Sequence, residues 1–383
     1  MTGTAVWDLV VVGGGPAGSA AALGALADRP GARVLVLDRD EFPRDKSCGD
    51  GIAPHVVDVL GPLGAGDVVD GWTPLQRLDL SRGQARVAGH LARPVWVIPR
   101  EVFDARLVDR AVRAGATLAR HRVREVRRDG EVVVVDDAVR ARVLVAADGV
   151  HSAVRAATGA RPTTRRALAI RGYTPTPAAY HGRQVIRFGE GKVPSYAWAF
   201  DRGDGQANVG YGEFSRNGRA SSRAAMLGRL EDLLPGTVAD GSRWRGHHLP
   251  LSGWGSASEQ PDGPILYAGD AAGLVNPMTG EGIYYAVATG ALAGRVAARA
   301  LREGRPAAAG AAHRRATRRL LGRHLHHTWA ASHLIRSPTV VRAGIAAASA
   351  DRRVFDALVE LGLGDGRITP RLVGGLALRL AGH

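Results

Sequence analysis

Apolar positions along this 383-residue chain fall into two rhythms. Near the N-terminus, Leu9–Val12 and Val34–Leu37 are short, unbroken, Val-rich runs. Such runs mark strands buried on both faces of a parallel sheet. Between them Pro16 to Leu26 is Ala-rich and reads as a helix, so the chain opens on a strand–helix–strand unit. From Trp72 to Ile98 the pattern turns to alternation, as in "LDLSRGQARVAG". Residues 161 to 257 repeat it in "ALAIRGYTP", "HGRQVIRFG", "SYAWAFDRG" and "QANVGYGEF". Alternation of this kind predicts antiparallel strands. "REVFDARLVDRAVRAGA" is helix-like, and "VLVAADGVHS" is a strand running into a turn. "ILYAGDAAGLVNPMTGEGIYYAVATGALAGRVAARAL" is strand, long loop and long helix. The tail from Ala307 is helical, with turns at Ser337-Pro338 and Gly362–Gly366. The pattern predicts a two-lobed α/β chain. A discontinuous parallel-sheet domain takes 1–58, 97–160 and 258–310, an antiparallel-sheet substrate domain takes 59–96 and 161–257, and a helical region takes 311–383.

Composition narrows the classes. A hydrophobic fraction of 45% is enough for a substantial core. The net charge is +15, and since Lys46 and Lys192 are the only lysines, the positive charge is almost all arginine. That excess fits solvated Arg-rich surfaces or attraction to phosphates and anionic lipid. No zinc finger or other recognisable module is present, so no nucleic-acid partner is expected. A single cysteine, Cys48, excludes an internal disulfide and a Cys-based metal site, and fits a reducing, cytoplasmic setting. The N-terminal apolar stretch lacks a basic leader and a span of bilayer length, so neither a signal peptide nor a transmembrane helix is expected. "HRRATRRLLGRHLHHTW", His313 to Trp329, places Leu320, Leu321, Leu325 and Trp329 among Arg and His at helical spacing. It predicts a basic amphipathic helix suited either to peripheral contact with a membrane or to packing on the protein.

The first chemical signal is Gly13-Gly14-Gly15-Pro16-Ala17-Gly18, G-x-G-x-x-G directly after a strand. The first glycine permits the tight turn, Gly15 lets backbone approach a pyrophosphate, and Gly18 lets helix pack on strand. The helix N-terminus offers unpaired N–H groups to phosphates. Asp38, followed by Arg39, ends the second strand at the spacing where a carboxylate accepts ribose hydroxyls. These residues point to an adenine dinucleotide without choosing between FAD and NAD(P).

"GDAAGLVNPMTGEGIYYA", Gly269 to Ala286, resembles the flavin-side motif of FAD enzymes with the glutathione-reductase-type fold. The resemblance implies FAD, with Gly269 and Asp270 at the ribityl and pyrophosphate region. It implies Pro277, Gly280, Gly282 and Ile283 against the isoalloxazine. Asp148-Gly149 in "AADGVHSAVR" is similar to the DG element of flavin hydroxylases, and Arg100 in "REVFDARL" stands at the helix start that contacts FAD in such proteins. "FPRDKSCGDGIAP" matches the K-x-C-G-x-G element of the geranylgeranyl reductase family, and "PSYAWAFD" resembles its P-x-x-Y-x-W-x-F-P cavity motif. The chain is therefore identified as similar to that family from about Val6 to Leu301. One departure is Asp201, where the family's final proline is common.

The resemblance implies a glutathione-reductase-type FAD-binding Rossmann domain with an inserted antiparallel-sheet domain and C-terminal helices. It implies reduction of C=C bonds in a lipid or other small-molecule isoprenoid substrate by hydride from reduced FAD. An external electron donor is implied, NAD(P)H, a reductase or a ferredoxin, and so is a monomer. Lys46, Cys48 and Gly49 would lie beside the flavin, with Cys48 as proton donor or positioning group. Tyr196, Trp198 and Phe200 would line the isoprenoid tunnel. A neighbouring lysine and helix would lower the Cys48 pKa, and an apolar pocket would raise it. Disulfide reductases of this fold need a cysteine pair, which is absent. Halogenases need a lysine, and Lys46 and Lys192 both match positions in the reductase-like motifs. An FAD monooxygenase acting on a small molecule is the alternative enzyme reading, and a flavin-containing binding protein is the non-enzymatic one.

Overall fold

The computed structural model describes residues 6–160, 166–191, 194–214 and 221–381. Lys192 lies outside them. In chain order the strands are β1 Trp7–Val12, β2 Val34–Asp38, β3 Gly51–Ile52, β4 Leu75–Arg82, β5 Ala85–Val97, β6 Thr117–Arg120, β7 Val126–Asp129 and β8 Val132–Val135. They continue as β9 Val139–Ala146, β10 Arg166–Pro175, β11 Gln184–Phe188, β12 Ser195–Asp201, β13 Gln206–Phe214, β14 Ser242–Pro250 and β15 Ile265–Tyr267. The helices are α1 Pro16–Asp28, α2 Pro54–Leu60, α3 Arg100–Arg113, α4 Ala153–Ala157 and α5 Arg223–Leu233. After them come α6 Ile283–Arg302, α7 Ala309–Leu334, α8 Pro338–Ala350, α9 Arg352–Leu363 and α10 Pro370–Ala381.

Two sheets organise the molecule. The first runs β6-β2-β1-β9-β8-β7, with β15 also on β9. Its β1 and β2 pair in parallel, Leu9 to Val34 through Val12 to Leu37. Every residue of β2 is buried, as its unbroken apolar run requires. Helix α1 begins at Pro16, whose missing N–H costs nothing at the first helical position. The second sheet runs β14-β10-β13-β12-β11-β4-β5-β3 and is antiparallel except where β11 meets β4. Short β3 joins this sheet through β5, so the Cys48 loop passes from the first lobe into the edge of the second.

Strand β12 shows how alternation builds the cavity wall. Ala197 and Ala199 face α5, where they pack with Met226 and Leu230. Tyr196, Trp198 and Phe200 face the other way. Small residues let the helix approach closely, and the large rings are left for the opposite face.

The C-terminal helices close that opposite face. Val341, Ile345, Val354, Phe355 and Leu361 form one cluster with Leu78, Val87, Leu91 and Val95 of the sheet. Phe355 is fully buried, and its ring lies directly on the backbone of Gly89, where a Cβ would come within 2.1 Å of it. Phe355→Ala should therefore cost about 3–5 kcal/mol. Chemical denaturation checks this, and a loss below about 1 kcal/mol would mean that these helices dock loosely.

Helix α7 packs one side on the protein, the second of the two roles its pattern allowed. Leu321 and Leu325 are buried in the core rather than offered to lipid, together with His313, Thr317, His324 and Thr328. His313 meets the Tyr267 carbonyl at 2.9 Å, and His324 bridges the Tyr285 hydroxyl at 2.5 Å and the Gly366 carbonyl at 2.6 Å. His324 and Thr328 thus find partners inside the protein, while the His313 Nδ1 and the Thr317 hydroxyl are buried without one, and Leu320 is left exposed. Among the described residues no helix is long and apolar enough to cross a membrane.

Candidate active site

One cavity of about 1110 Å³ runs between the sheets and under the C-terminal helices. It exceeds the roughly 300–1,000 Å³ usual for one small-molecule site. At one end lies the glycine turn. Gly13, Gly15, Pro16 and Ala17 line the cavity, and the N-terminus of α1 carries no side-chain cap. Its first amides are thus free for phosphate oxygens. The Gly15 backbone is extended, and a Cβ there would meet the ends of Arg44, Arg100 and Asp104 at 3.5, 3.8 and 3.9 Å, all ordinary contacts. The cradle is open at this point, as a bound pyrophosphate requires.

Asp38 lines the cavity and anchors the turn, accepting from the Gly14 amide at 2.7 Å and the Asp40 amide at 2.9 Å. Arg39 stands at the rim with its side chain largely in solvent. Arg44 lies 3.7 Å from Asp38 and 3.2 Å from Asp104, and Arg100 grips Asp104 through two bonds of 2.6 and 2.7 Å. Asp148 caps α4 through the Ala153 amide at 2.8 Å, while its other oxygen is buried without a partner at the cavity wall. Burial raises its pKa above the usual carboxylate range. Gly149 lines the wall beside it in the left-handed region.

Two expected cofactor residues sit elsewhere. Gly18 is off the cavity, and a Cβ there would fall 1.7 Å from the Gly13 carbonyl oxygen. Gly269 is wedged against Ala17 and Ala286, and its amide bonds Thr289 at 3.0 Å. Both are packing glycines between strand and helix. The other members of the flavin-side motif, Asp270, Pro277, Gly280, Gly282 and Ile283, do line the cavity. Asp270 meets Lys46 at 3.4 Å, and that charge helps hold its carboxyl below the usual range against the opposing effect of burial.

The Cys48 loop is tied down by residues far away in sequence. Asn208 donates to the Cys48 carbonyl at 2.9 Å and to Asp50 at 2.8 Å, and accepts from the Trp198 indole at 2.8 Å. Tyr173 donates to Asp50 at 2.6 Å. Asp50 is fully buried at φ +59°, and burial lifts its pKa to about 6. Arg171, also fully buried, pairs with Asp45, which Arg245 approaches at 3.2 Å. These contacts fix Cys48 and Gly49 at the cavity wall, where a Gly49 Cβ would lie 3.6 Å from Phe200 and 3.7 Å from Trp198. Of the two opposing effects on the thiol, burial wins over the nearby Arg100 charge and raises its pKa. Cys48 is held as a thiol.

Tyr196, Trp198 and Phe200 form a ladder along the cavity, with ring centroids 5.9 and 6.4 Å apart. Tyr196 donates to the Thr279 carbonyl. Asp201 turns to the other face of β12, where Thr176 and the Gly182 and Gly203 amides bond it at 3.0, 2.7 and 3.1 Å. The departure from the family's proline therefore puts no charge into the cavity. Glu281, which motif reading passed over between two glycines, lines the same wall. One of its oxygens accepts from the Tyr284 amide at 2.9 Å, and burial lifts its pKa to about 7.

The FAD binding domain family matches residues 6–178. A menaquinone reductase of Mycolicibacterium smegmatis is 36% identical over 75% of this chain and 75% of its own length. A digeranylgeranylglycerophospholipid reductase of Methanopyrus kandleri is 34% identical over 78% of this chain and 82% of its own. The chain belongs to the geranylgeranyl reductase family of FAD-dependent oxidoreductases. A crystal structure of a geranylgeranyl bacteriochlorophyll reductase-like protein from Thermoplasma acidophilum shares the family fold over 98% of this chain and 97% of that one, at a TM-score of 0.80 and 19% identity. Membership makes FAD the cofactor, and the cavity fits it. Uncapped α1 amides and open space at Gly15 suit the phosphates.

Proposed function

We propose that this family member reduces carbon–carbon double bonds of an isoprenoid chain lying in the far arm of the cavity. One observation carries the reading. Past Cys48 and the aromatic ladder, the cavity continues into an arm walled by aliphatic side chains of α8 to α10 and of the turn after α7, among them Ile335, Val341, Ile345, Leu358, Leu363 and Leu372. A long hydrocarbon gains from burial there, at roughly 25 cal/mol per Å² of apolar surface. A small polar substrate gains nothing.

Reduction of a double bond takes a hydride at one carbon and a proton at the other. FAD, bound in the cradle and reduced by an external donor, NAD(P)H or a reductase or ferredoxin, supplies the hydride. The remaining tasks fall to the chain. The Tyr196–Trp198–Phe200 ladder holds the alkene in place and excludes water. The Cys48 thiol carries the proton at the reacting end, and Glu281 on the same wall restores it.

Single-turnover reoxidation of the reduced, FAD-loaded enzyme by geranylgeranyl substrate, without oxygen, tests this. Saturated product should appear with flavin reoxidation. Oxygenated product formed only in air would show a monooxygenase instead. In the same assay Cys48→Ala should keep FAD, because Asn208 bonds the backbone carbonyl of residue 48, and should slow turnover about 10²-fold or more. Cys48→Ser should recover part of the rate. Equal rates for all three proteins would remove the thiol from the chemistry.

A further inference from the structure

Helix α10 is apolar on the side that faces away from the protein. Of its 12 residues only Leu372 is buried. Gly375 packs inward as well, its position lying 3.2 Å from Val354 and 3.5 Å from Ala347. At about 100° per residue, the opposite arc carries Leu380, Val373, Ala377, Ala381, Gly374 and Leu378. All six are exposed, Leu378 at 77%. The two charged residues of the helix, Arg371 and Arg379, lie outside that arc.

The position of this face matters more than its composition. Val373 is 54% exposed and Leu334, at the end of α7, is 48% exposed, yet both line the cavity. A side chain in solvent and in the cavity at once marks an opening. The apolar arm thus reaches the surface between α10 and the end of α7, and the rim of that mouth is itself apolar. From Ala309 to Ala381 the chain carries twelve arginines against four acidic residues, and Arg371 and Arg379 of α10 itself are exposed. Exposed Arg336 follows Leu334 by two positions.

We infer that the outward face of α10 seats in an anionic lipid bilayer and places the cavity mouth against the hydrocarbon. The inference rests on the isoprenoid reading of the arm. A prenyl chain could then pass from bilayer to cavity without crossing water, which at about 0.8 kcal/mol per CH₂ group would be a steep barrier. Leucine, valine and alanine would enter the acyl boundary, and the arginines would meet phosphate head groups.

The test uses full-length, FAD-loaded protein and vesicles of phosphatidylglycerol with phosphatidylcholine. Wild type should co-sediment with them, more weakly with pure phosphatidylcholine and more weakly in high salt. Leu378→Glu with Leu380→Glu should weaken binding about a hundredfold, since withdrawing one leucine corresponds to roughly a factor of ten. Neither leucine lines the cavity. Flavin content, melting temperature and turnover on a detergent-dispersed short isoprenoid, assayed without vesicles, should therefore be unchanged. That turnover arm tests the substrate reading separately, because it needs no membrane. Equal vesicle binding by wild type and variant, or none by wild type, overturns the inference. So does a wild-type dimer in analytical ultracentrifugation that the double substitution dissociates, because the face would then be covered by a second copy.

Discussion

Gly15→Val should yield a folded, colourless protein. The residue 15 backbone lies in a region any side chain adopts, and its first added atom meets nothing closer than the Arg44 guanidinium at 3.5 Å. Helix α1 begins one residue later and loses no hydrogen bond. The added isopropyl group fills the space over the uncapped α1 amides, where the pyrophosphate must lie. Overpacking costs about 1–3 kcal/mol, and displacing the phosphates from the amides that bind them costs more, so FAD binding should weaken at least about a hundredfold. Flavin absorbance after reconstitution reads the loss, and thermal unfolding followed by circular dichroism shows the fold intact. Gly18→Ala is the contrasting control. Its Cβ would fall 1.7 Å from the Gly13 carbonyl oxygen, so that variant should lose stability outright. A yellow Gly15→Val enzyme would separate the glycine turn from the cofactor and overturn the placement of FAD.

Glu281→Gln should produce the second large effect. Glutamine keeps an oxygen for the Tyr284 amide, so folding and FAD loading should survive. What disappears is a removable proton. Burial raises the Glu281 pKa to about 7, so the acid is protonated below that pH and ionised above it. If Glu281 restores the Cys48 proton, multiple-turnover rate should be level in mild acid and fall as pH rises through about 7. The Gln variant should be slower by about 10²–10⁴ at low pH, with that limb gone. Glu281→Asp should restore part of the rate, which a purely structural role would not predict. A limb that stays near pH 6 in the Gln variant would assign the proton to Asp50, the other wall carboxyl with a raised pKa. The same burial has a stability consequence. Between the ordinary glutamate range and about pH 7 the unfolded chain ionises Glu281 while the folded chain does not. Stability should therefore decline with rising pH across that window and level off above it.

Much of this molecule was legible along the chain because its signals are local. Val-rich runs, the glycine turn and a helix starting at Pro16 each depend on neighbours a few residues apart, and together they point to a dinucleotide cradle. The period-two alternation of β12 likewise announced that Tyr196, Trp198 and Phe200 share a face. What that face looks onto was not local. The cavity arm exists because α8 and α9 pack their apolar sides on Leu78, Val87 and Val95, more than 240 positions earlier in the chain. The network that fixes Cys48 draws on Tyr173 and Asn208, 123 and 158 positions from Asp50, and no spacing rule spans such distances. Asp201 and Leu321 show the same limit from the other side. Residue type alone placed neither side chain, and each was decided by the direction in which its strand or helix packs. Sequence determined the cofactor cradle and the rhythm of each element. Tertiary packing decided which face each element buries and which side chains line the cavity, because burial and pKa depend on neighbours that only folding brings together.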